Sequence, residues 1–125
     1  MDNPSSPVLI IDDDSRNIFA LGLVLRSKGY QCLSATAAQP GIKLLTENPD
    51  IGIVLLDMTM PDMDGYEAIG VIRKVPGREN LPIIAVTAQA MPGDREKCLS
   101  AGANAYISKP VNVDMMISLL KQYIS

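Results

Sequence analysis

Residues 51–65 read IGIVLLDMTMPDMDG. The first part, Ile51 to Leu56, is an apolar run of the length that is typical of a buried β-strand. This run stops at an acidic residue, Asp57, and a loop that contains Pro61 follows it. Asp64 can then cap a helix that begins at Gly65. The stretch therefore predicts one strand, one loop and one helix in succession.

The same strand-then-helix pattern occurs four more times along the chain. The predicted strands cover 8–11, 30–35, 51–56, 83–86 and 105–107, and the predicted helices cover 15–28, 39–47, 65–74, 92–101 and 113–124. Repeated units of this kind imply a parallel sheet with right-handed crossovers and helices on both faces. We therefore expect one α/β domain at residues 7–125, after a short flexible tail at residues 1–6. Pro40 and Gly41 lie in the first turn of the second helix and are expected to shorten it.

The composition excludes several classes of function. A net charge of −3 argues against a nucleic-acid-binding surface, and the absence of histidine excludes a histidine-based catalytic triad or metal site. The apolar runs are far shorter than the roughly 20 residues that cross a bilayer, and no secretion signal is recognisable at the start. Cys32 and Cys98 form no CxxC pair, so we expect both to be reduced, as is usual in the cytoplasm.

Chemically active side chains follow four of the five predicted strands. In an open parallel sheet, ligands bind at the carboxyl ends of the strands. Asp12 and Asp13 follow the first strand, Asp57 the third and Thr87 the fourth, and the fifth leads to Lys109. In a sheet of order 2-1-3-4-5 the first and third strands are neighbours, so their acids are expected to meet at one edge.

Carboxylates that converge in this way repel one another unless a cation joins them. An open, water-rich site with all-oxygen ligands favours Mg²⁺. The ammonium group of Lys109 and the hydroxyl of Thr87 are suited to binding a phosphoryl group beside such a cluster. These are the components of a phosphoryl-transfer site. Asp14, by contrast, is interpreted as a helix cap.

The sequence resembles the CheY-like receiver domain of two-component response regulators over nearly all of its length. The stretches that carry the resemblance are 8–14, 55–65, 82–88 and 105–110. Ser15-Arg16-Asn17 and Met91 to Leu99 are most similar to receivers of hybrid histidine kinases. The resemblance implies a flavodoxin-like (βα)₅ fold with a five-stranded parallel sheet of order 2-1-3-4-5. It also implies a signalling domain that assists its own phosphorylation and dephosphorylation, rather than an enzyme with a separate substrate.

The resemblance also assigns roles to the candidate residues. Asp57 would accept a phosphoryl group from a phosphohistidine of a histidine kinase or histidine phosphotransfer protein. The implied Mg²⁺ ligands are Asp12, Asp13, Asp57 and the backbone carbonyl of Thr59. Thr87 and Lys109 would contact the phosphoryl group, and a cis peptide is expected at Lys109-Pro110.

The implied output is a change in the surface formed by the fourth helix, the fifth strand and the fifth helix. Thr87 would move toward the phosphoryl group and Tyr106 would turn inward. The partner that reads this surface is unknown, and no contact of the domain with nucleic acid or membrane is expected.

Three other interpretations compete with this one. In a haloacid-dehalogenase-type phosphatase Asp12 would be the nucleophile and Asp14 the general acid, but that motif needs Thr or Val where Arg16 stands and leaves Asp57 without a role. A flavin- or nucleotide-binding protein should have a Gly-, Ser- and Thr-rich loop after the first strand, where this chain has three carboxylates. An EF-hand at 62–65 lacks oxygen ligands at the positions of Met60 and Val71.

Overall fold

A computed structural model describes residues 6–88 and 91–124, so the predicted tail lies outside the described residues except for Ser6. Five strands alternate with five helices along the chain. Their bounds are β1 Val8–Ile11, α1 Ser15–Ser27, β2 Cys32–Ala35, α2 Ala38–Glu47, β3 Ile53–Asp57, α3 Gly65–Arg73, β4 Ile83–Thr87, α4 Asp94–Ala101, β5 Ala105–Ser108 and α5 Val113–Ile124. All strand pairs are parallel, and the order is β2-β1-β3-β4-β5. The predicted fold class and strand order are therefore confirmed.

The three central strands are buried along their whole length because helices cover both faces of the sheet. One core contains side chains of α2, α3 and α4, such as Leu45, Ile69 and Cys98, packed against one face. The other core contains side chains of α1 and α5, such as Leu25 and Met116, packed against the opposite face. No helix within the described ranges is long and apolar enough to cross a bilayer.

Local sequence signals set most of the helix ends. The side chain of Asp14 accepts a hydrogen bond from the Arg16 backbone N–H at 3.0 Å, so the predicted cap of α1 is confirmed. Asp64 caps α3 in the same way through the Glu67 N–H at 2.8 Å. Gly93 adopts φ +88°, a left-handed conformation outside a helix, and α4 therefore begins at Asp94, two residues later than predicted.

Two strands begin later than the apolar pattern predicts. β2 starts at Cys32 and β3 at Ile53, although Tyr30 and Ile51 are already buried. Both residues lie in loops, yet their side chains are buried in the core. An apolar side chain can be buried without its backbone joining the sheet. The apolar run alone therefore overestimates the length of these strands.

The second helix forms despite Pro40 and Gly41. It spans ten residues and begins at Ala38, one residue before the predicted start. Gly41 lies against Ile11 of β1 so closely that an added Cβ atom would collide with the isoleucine side chain. The glycine thus allows α2 to approach the sheet, at the expense of helix propensity.

Two arginines hold the loops at the amino-terminal edge of the sheet. The Arg78 side chain donates hydrogen bonds to the carbonyls of Ile51 and Asn48, both at 2.7 Å, and Arg78 is only 8% exposed. Arg73 donates to the carbonyls of Leu81 and Gly102. Sequence periodicity gives no sign of either role, because each arginine binds carbonyl groups of other loops.

Replacing Arg78 by methionine should destabilise the domain by about 2–4 kcal/mol, because the buried carbonyls lose their donors. Urea denaturation of the wild type and the variant measures this difference. Arg95→Met is the matched control, since Arg95 is exposed on α4. A change for Arg78→Met as small as that for Arg95→Met would show that water replaces the guanidinium group at little cost.

Candidate functional site

The register of β1 against β3 brings two carboxylates side by side. Ile11 pairs with Leu56, so the next residues, Asp12 and Asp57, lie side by side at the same edge of the sheet. Asp12 is 2% exposed and Asp57 is 4% exposed, whereas Asp13 is exposed. One oxygen from each of the three carboxylates lies within 4.8 Å of the others. The structure therefore brings together the three predicted acidic residues.

The Asp12 carboxylate is held by three groups. Its Oδ1 accepts a hydrogen bond from the Asp14 backbone N–H at 2.9 Å, and its Oδ2 accepts one from Asn17 Nδ2 at 2.6 Å. The Lys109 Nζ lies 3.3 Å from the same Oδ2 atom. Asn17 was not predicted as a site residue. Its position in the first turn of α1, one turn beyond the acids, is the only sequence signal that it faces them.

The surroundings of Asp57 both raise and lower the pKa of its carboxyl group. Its Oδ1 accepts a hydrogen bond from the Thr59 backbone N–H at 3.1 Å, and its Oδ2 lies 3.6 Å from Lys109 Nζ. The pKa of Asp57 is raised to about 6, and burial is the main cause. The Thr59 N–H and Lys109 oppose this rise, and the Asp12 and Asp13 carboxylates add to it. Without a further cation, the ionised form of Asp57 is therefore disfavoured relative to a carboxylate in water.

Lys109 reaches the acids from the far side of β4. Its backbone N–H donates to the carbonyl of Thr87 at 2.7 Å, and the predicted cis peptide between Lys109 and Pro110 is confirmed. Burial lowers the pKa of Lys109, but the Asp12 and Asp57 carboxylates raise it more, so the net pKa is above the ordinary lysine value. The side chain is thus a positive charge beside the two buried acids, Asp12 and Asp57.

Thr87 and Tyr106 lie on the same face of the sheet. Thr87 ends β4 and is buried. Tyr106 pairs with Ala85 and Ser108 pairs with Thr87, so Tyr106 is a diagonal neighbour of Thr87. Tyr106 is partly buried against the core that contains α2, α3 and α4. A change at Thr87 is therefore within reach of this tyrosine.

The donor set suits a hard divalent cation. It consists of three carboxylates at an open edge, and two of these are buried with an unfavourable density of negative charge. Oxygen ligands of this number and charge are those that Mg²⁺ prefers. The Thr59 backbone carbonyl, the fourth ligand that the family resemblance implies, belongs to the residue whose N–H donates to Asp57.

Comparison with known proteins gives consistent matches. A family model described as the response regulator receiver domain matches residues 8–121. The chain is 38% identical to the sensor histidine kinase RcsC of Escherichia coli (strain K12) over 122 residues, which are 98% of this chain and 12% of RcsC. The chain therefore spans about one-eighth of the length of this relative.

Two solved structures are similar over most of the chain. A putative response regulator from Chloroflexus aurantiacus is 30% identical with a TM-score of 0.87, and the match covers 94% of this chain and 95% of that one. The receiver domain of the Saccharomyces cerevisiae response regulator Ssk1, in a co-crystal structure with the histidine phosphotransfer signaling protein Ypd1, is 26% identical. Its TM-score is 0.87, with 98% and 91% of the two chains covered.

The electrostatics of Asp57 predict a pH-dependent effect of Asp57→Asn on stability. The folded-state pKa of about 6 lies above the ordinary value of 3.8, so the folded wild type gains stability as the pH falls through 6 and loses it as the pH rises. In metal-free buffer the variant should therefore be more stable than the wild type at about pH 8, by on the order of 1–3 kcal/mol. The difference should shrink toward zero near pH 4.

Chemical denaturation at several pH values measures this difference. Asp50→Asn, which removes an exposed carboxylate elsewhere, corrects for general effects of charge. If the difference between the Asp57 variant and the wild type is independent of pH, burial of Asp57 does not disfavour its ionised form.

Proposed function

The chain belongs to the response regulator receiver domain family, and on that premise we propose that Asp57 is the phosphoryl acceptor of this receiver domain in its two-component phosphorelay. The observation that carries the proposal is the convergence on Asp57 of two acids and one lysine from the ends of two other strands, β1 and β5. A nucleophile, charge compensation and fixed donors are what phosphoryl transfer requires.

The proposed reaction is an in-line transfer from a phosphohistidine. A carboxylate oxygen of Asp57 attacks phosphorus, the bond from phosphorus to the histidine nitrogen breaks, and that nitrogen retains the electron pair. Asp57 must be ionised to attack, which the Lys109 ammonium and the Thr59 N–H favour. Lys109 then compensates the charge on the oxygens of the phosphoryl group, and the Thr87 hydroxyl donates a hydrogen bond to one of them.

Receiver domains bind Mg²⁺ generally, and the acidic cluster fits this ion. Asp12, Asp13, Asp57 and the Thr59 carbonyl would hold it, and when bound it supplies charge neutralisation for the transferring group. The contacts of Asn17 and Lys109 with Asp12 Oδ2 keep that carboxylate oriented toward the cluster.

The phosphoryl donor must be a histidine on another protein or another domain, because these 125 residues contain no histidine. A histidine kinase or a histidine phosphotransfer protein is the expected partner. Both kinds are named among the similar proteins, as RcsC and as the Ypd1–Ssk1 complex. A cytoplasmic location, which the two free cysteines favour, belongs to the same proposal. We also propose that the domain assists its own phosphorylation and dephosphorylation.

Nothing favours the haloacid-dehalogenase interpretation. Asp14 would be the general acid of such a phosphatase, yet its side chain caps α1. Asp57, which that mechanism leaves without a role, lies within the cluster.

The output of the domain is proposed to pass through Thr87 and Tyr106. Phosphorylation adds roughly −1.5 to −2 charges and new acceptor oxygens beside Thr87. Movement of the threonine hydroxyl toward them opens space on the face that Tyr106 shares. The helix next to β5 is the one that can respond, since Cys98 is the only fully buried side chain of α4, whose residues 94–101 are all described.

Asp57→Asn should abolish the acid-stable, base-labile label that acetyl phosphate or a histidine kinase gives in the presence of Mg²⁺, because the amide is a much poorer nucleophile. Borohydride reduction followed by mass spectrometry identifies the labelled residue in the wild type. Asp50→Asn serves as the control and should be labelled normally. A label mapped to Asp12 instead would support the phosphatase interpretation and exclude this one.

Beryllofluoride, a mimic of the phosphoryl group, should change the NMR signals of Tyr106 and of residues 91–101 when it is added with Mg²⁺. Comparison of amide spectra with and without the mimic measures this, and Thr87→Ala should reduce the changes at Tyr106. Changes confined to the loops around Asp57 would exclude the proposed output.

A further inference from the structure

The second helix lacks a cap of its own. The residue before it, Ala37, has extended backbone angles suited to an N-cap but no side-chain oxygen. Its first two amides are instead bound by one carboxylate from elsewhere: Asp62 Oδ1 accepts from Ala38 N at 3.1 Å and Asp62 Oδ2 accepts from Gln39 N at 3.0 Å. The third residue, Pro40, has no N–H to satisfy. The first turn of α2 is therefore completed by a residue more than 20 positions away.

Asp62 lies in the loop at residues 58–64, which follows Asp57 directly. Near Asp57 this loop is held by the bond from the Thr59 N–H to Asp57, and its two ends are joined by the bond from Gly65 N to the Met58 carbonyl at 3.0 Å. The Asp64 side chain accepts a hydrogen bond from the Glu67 N–H in the first turn of α3. Among the described contacts of this loop, Asp62 is the side chain that hydrogen-bonds to a helix earlier in the chain.

Each oxygen of the Asp62 carboxylate accepts one hydrogen bond. Two bonds fix the orientation of the group, whereas one bond would allow it to rotate. Its negative charge lies at the positive end of the α2 dipole. The hydrogen bonds from Gln39 and Ala38 lower the pKa of Asp62, so the carboxylate remains ionised near neutral pH. The contact therefore links the loop at residues 58–64 to α2.

We propose that Asp62 is a positioning residue for the phosphoryl-accepting site: it ties the loop that carries Thr59 to α2 and thereby holds the Thr59 carbonyl in place for the metal. This inference rests on the proposed function of Asp57. The Thr59 backbone is only three residues from Asp62, so a loop released at Asp62 samples positions in which that carbonyl is displaced. Loss of the link should then raise the Mg²⁺ concentration that phosphorylation requires.

The expected effect is moderate, because the Asp62 side chain is exposed and water can replace it at the two amides. Groups that orient metal ligands typically change affinity by 10-fold or more when removed. For this exposed link we expect Asp62→Ala to raise the Mg²⁺ concentration at half-maximal phosphorylation by about 3- to 10-fold.

A second variant separates positioning from helix capping. Ala37→Ser provides α2 with a local cap at a residue of suitable backbone conformation, but it does not reconnect the loop. Asp62→Ala should lower the midpoint of thermal unfolding by roughly 3–6 °C, and the double variant Ala37→Ser/Asp62→Ala should recover most of that loss. The double variant should nevertheless keep the raised Mg²⁺ requirement.

The experiment measures initial rates of labelling by acetyl phosphate over a series of Mg²⁺ concentrations, together with thermal unfolding. The variants are Asp62→Ala, Asp62→Asn, the double variant and Asp50→Ala as an exposed control. Asp62→Asn keeps one acceptor oxygen and should be intermediate. Recovery of the wild-type Mg²⁺ requirement by the double variant would overturn the proposal and leave Asp62 as a helix cap.

The two proposals fail in different ways. Absence of a label on Asp57 in the wild type would overturn the proposed function and this inference with it. Normal labelling of Asp57 in the wild type, with an unchanged Mg²⁺ requirement in Asp62→Ala, would overturn only the role of Asp62.

Discussion

The parallel pairing of β1 with β3 is the constraint on which the site depends. Each strand is held by burial on both faces and by its backbone hydrogen bonds. Asp12 and Asp57 therefore cannot move apart unless the pairing of the two strands is lost. Two carboxylates that are almost fully buried at adjacent strand ends repel each other and lose hydration. The Lys109 ammonium, 3.3 and 3.6 Å from the two acids, offsets part of this cost. A divalent cation would offset more, and the site is thereby prepared for a ligand that brings positive charge to it.

Buried charged side chains have charged partners at the carboxyl edge of the sheet and neutral partners at the amino edge. At the carboxyl edge the charges of Asp12, Asp57 and Lys109 face one another, and the raised pKa of Asp57, about 6, makes their balance depend on pH. At the amino edge Arg78 has neutral backbone carbonyls as its partners, and this arrangement does not depend on a ligand. Under the proposed function, a change in charge acts on the carboxyl edge, while the amino edge, held by Arg78, keeps its structure.

The three helices on the face shared by Thr87 and Tyr106 are held unequally. The second and third helices contribute several fully buried side chains, among them Leu45, Ile69 and Ile72, whereas α4 contributes Cys98. Outside the core, α4 is joined to α3 by Lys97, whose ammonium lies 5.0 Å from the centre of the Tyr66 ring, a contact worth little at an exposed site. A helix that buries one side chain shifts at lower cost than neighbours that bury several, which favours α4 as the mobile part of the proposed output surface.

The sequence by itself determined the architecture and most of the candidate site residues. Apolar runs of strand length alternate with helical patterns, and residues such as Asp57 and Lys109 stand just past the strands, so β/α order and the carboxyl-edge position follow from local spacing. Caps such as that of Asp64 are equally local, since donor and acceptor are three residues apart. Only the tertiary structure decided that Asp62 completes α2 and that Arg78 binds carbonyls of a distant loop. Such bonds join residues more than 20 positions apart. Periodicity and propensity describe only near neighbours, so the partners become known only when the packed helices bring them together.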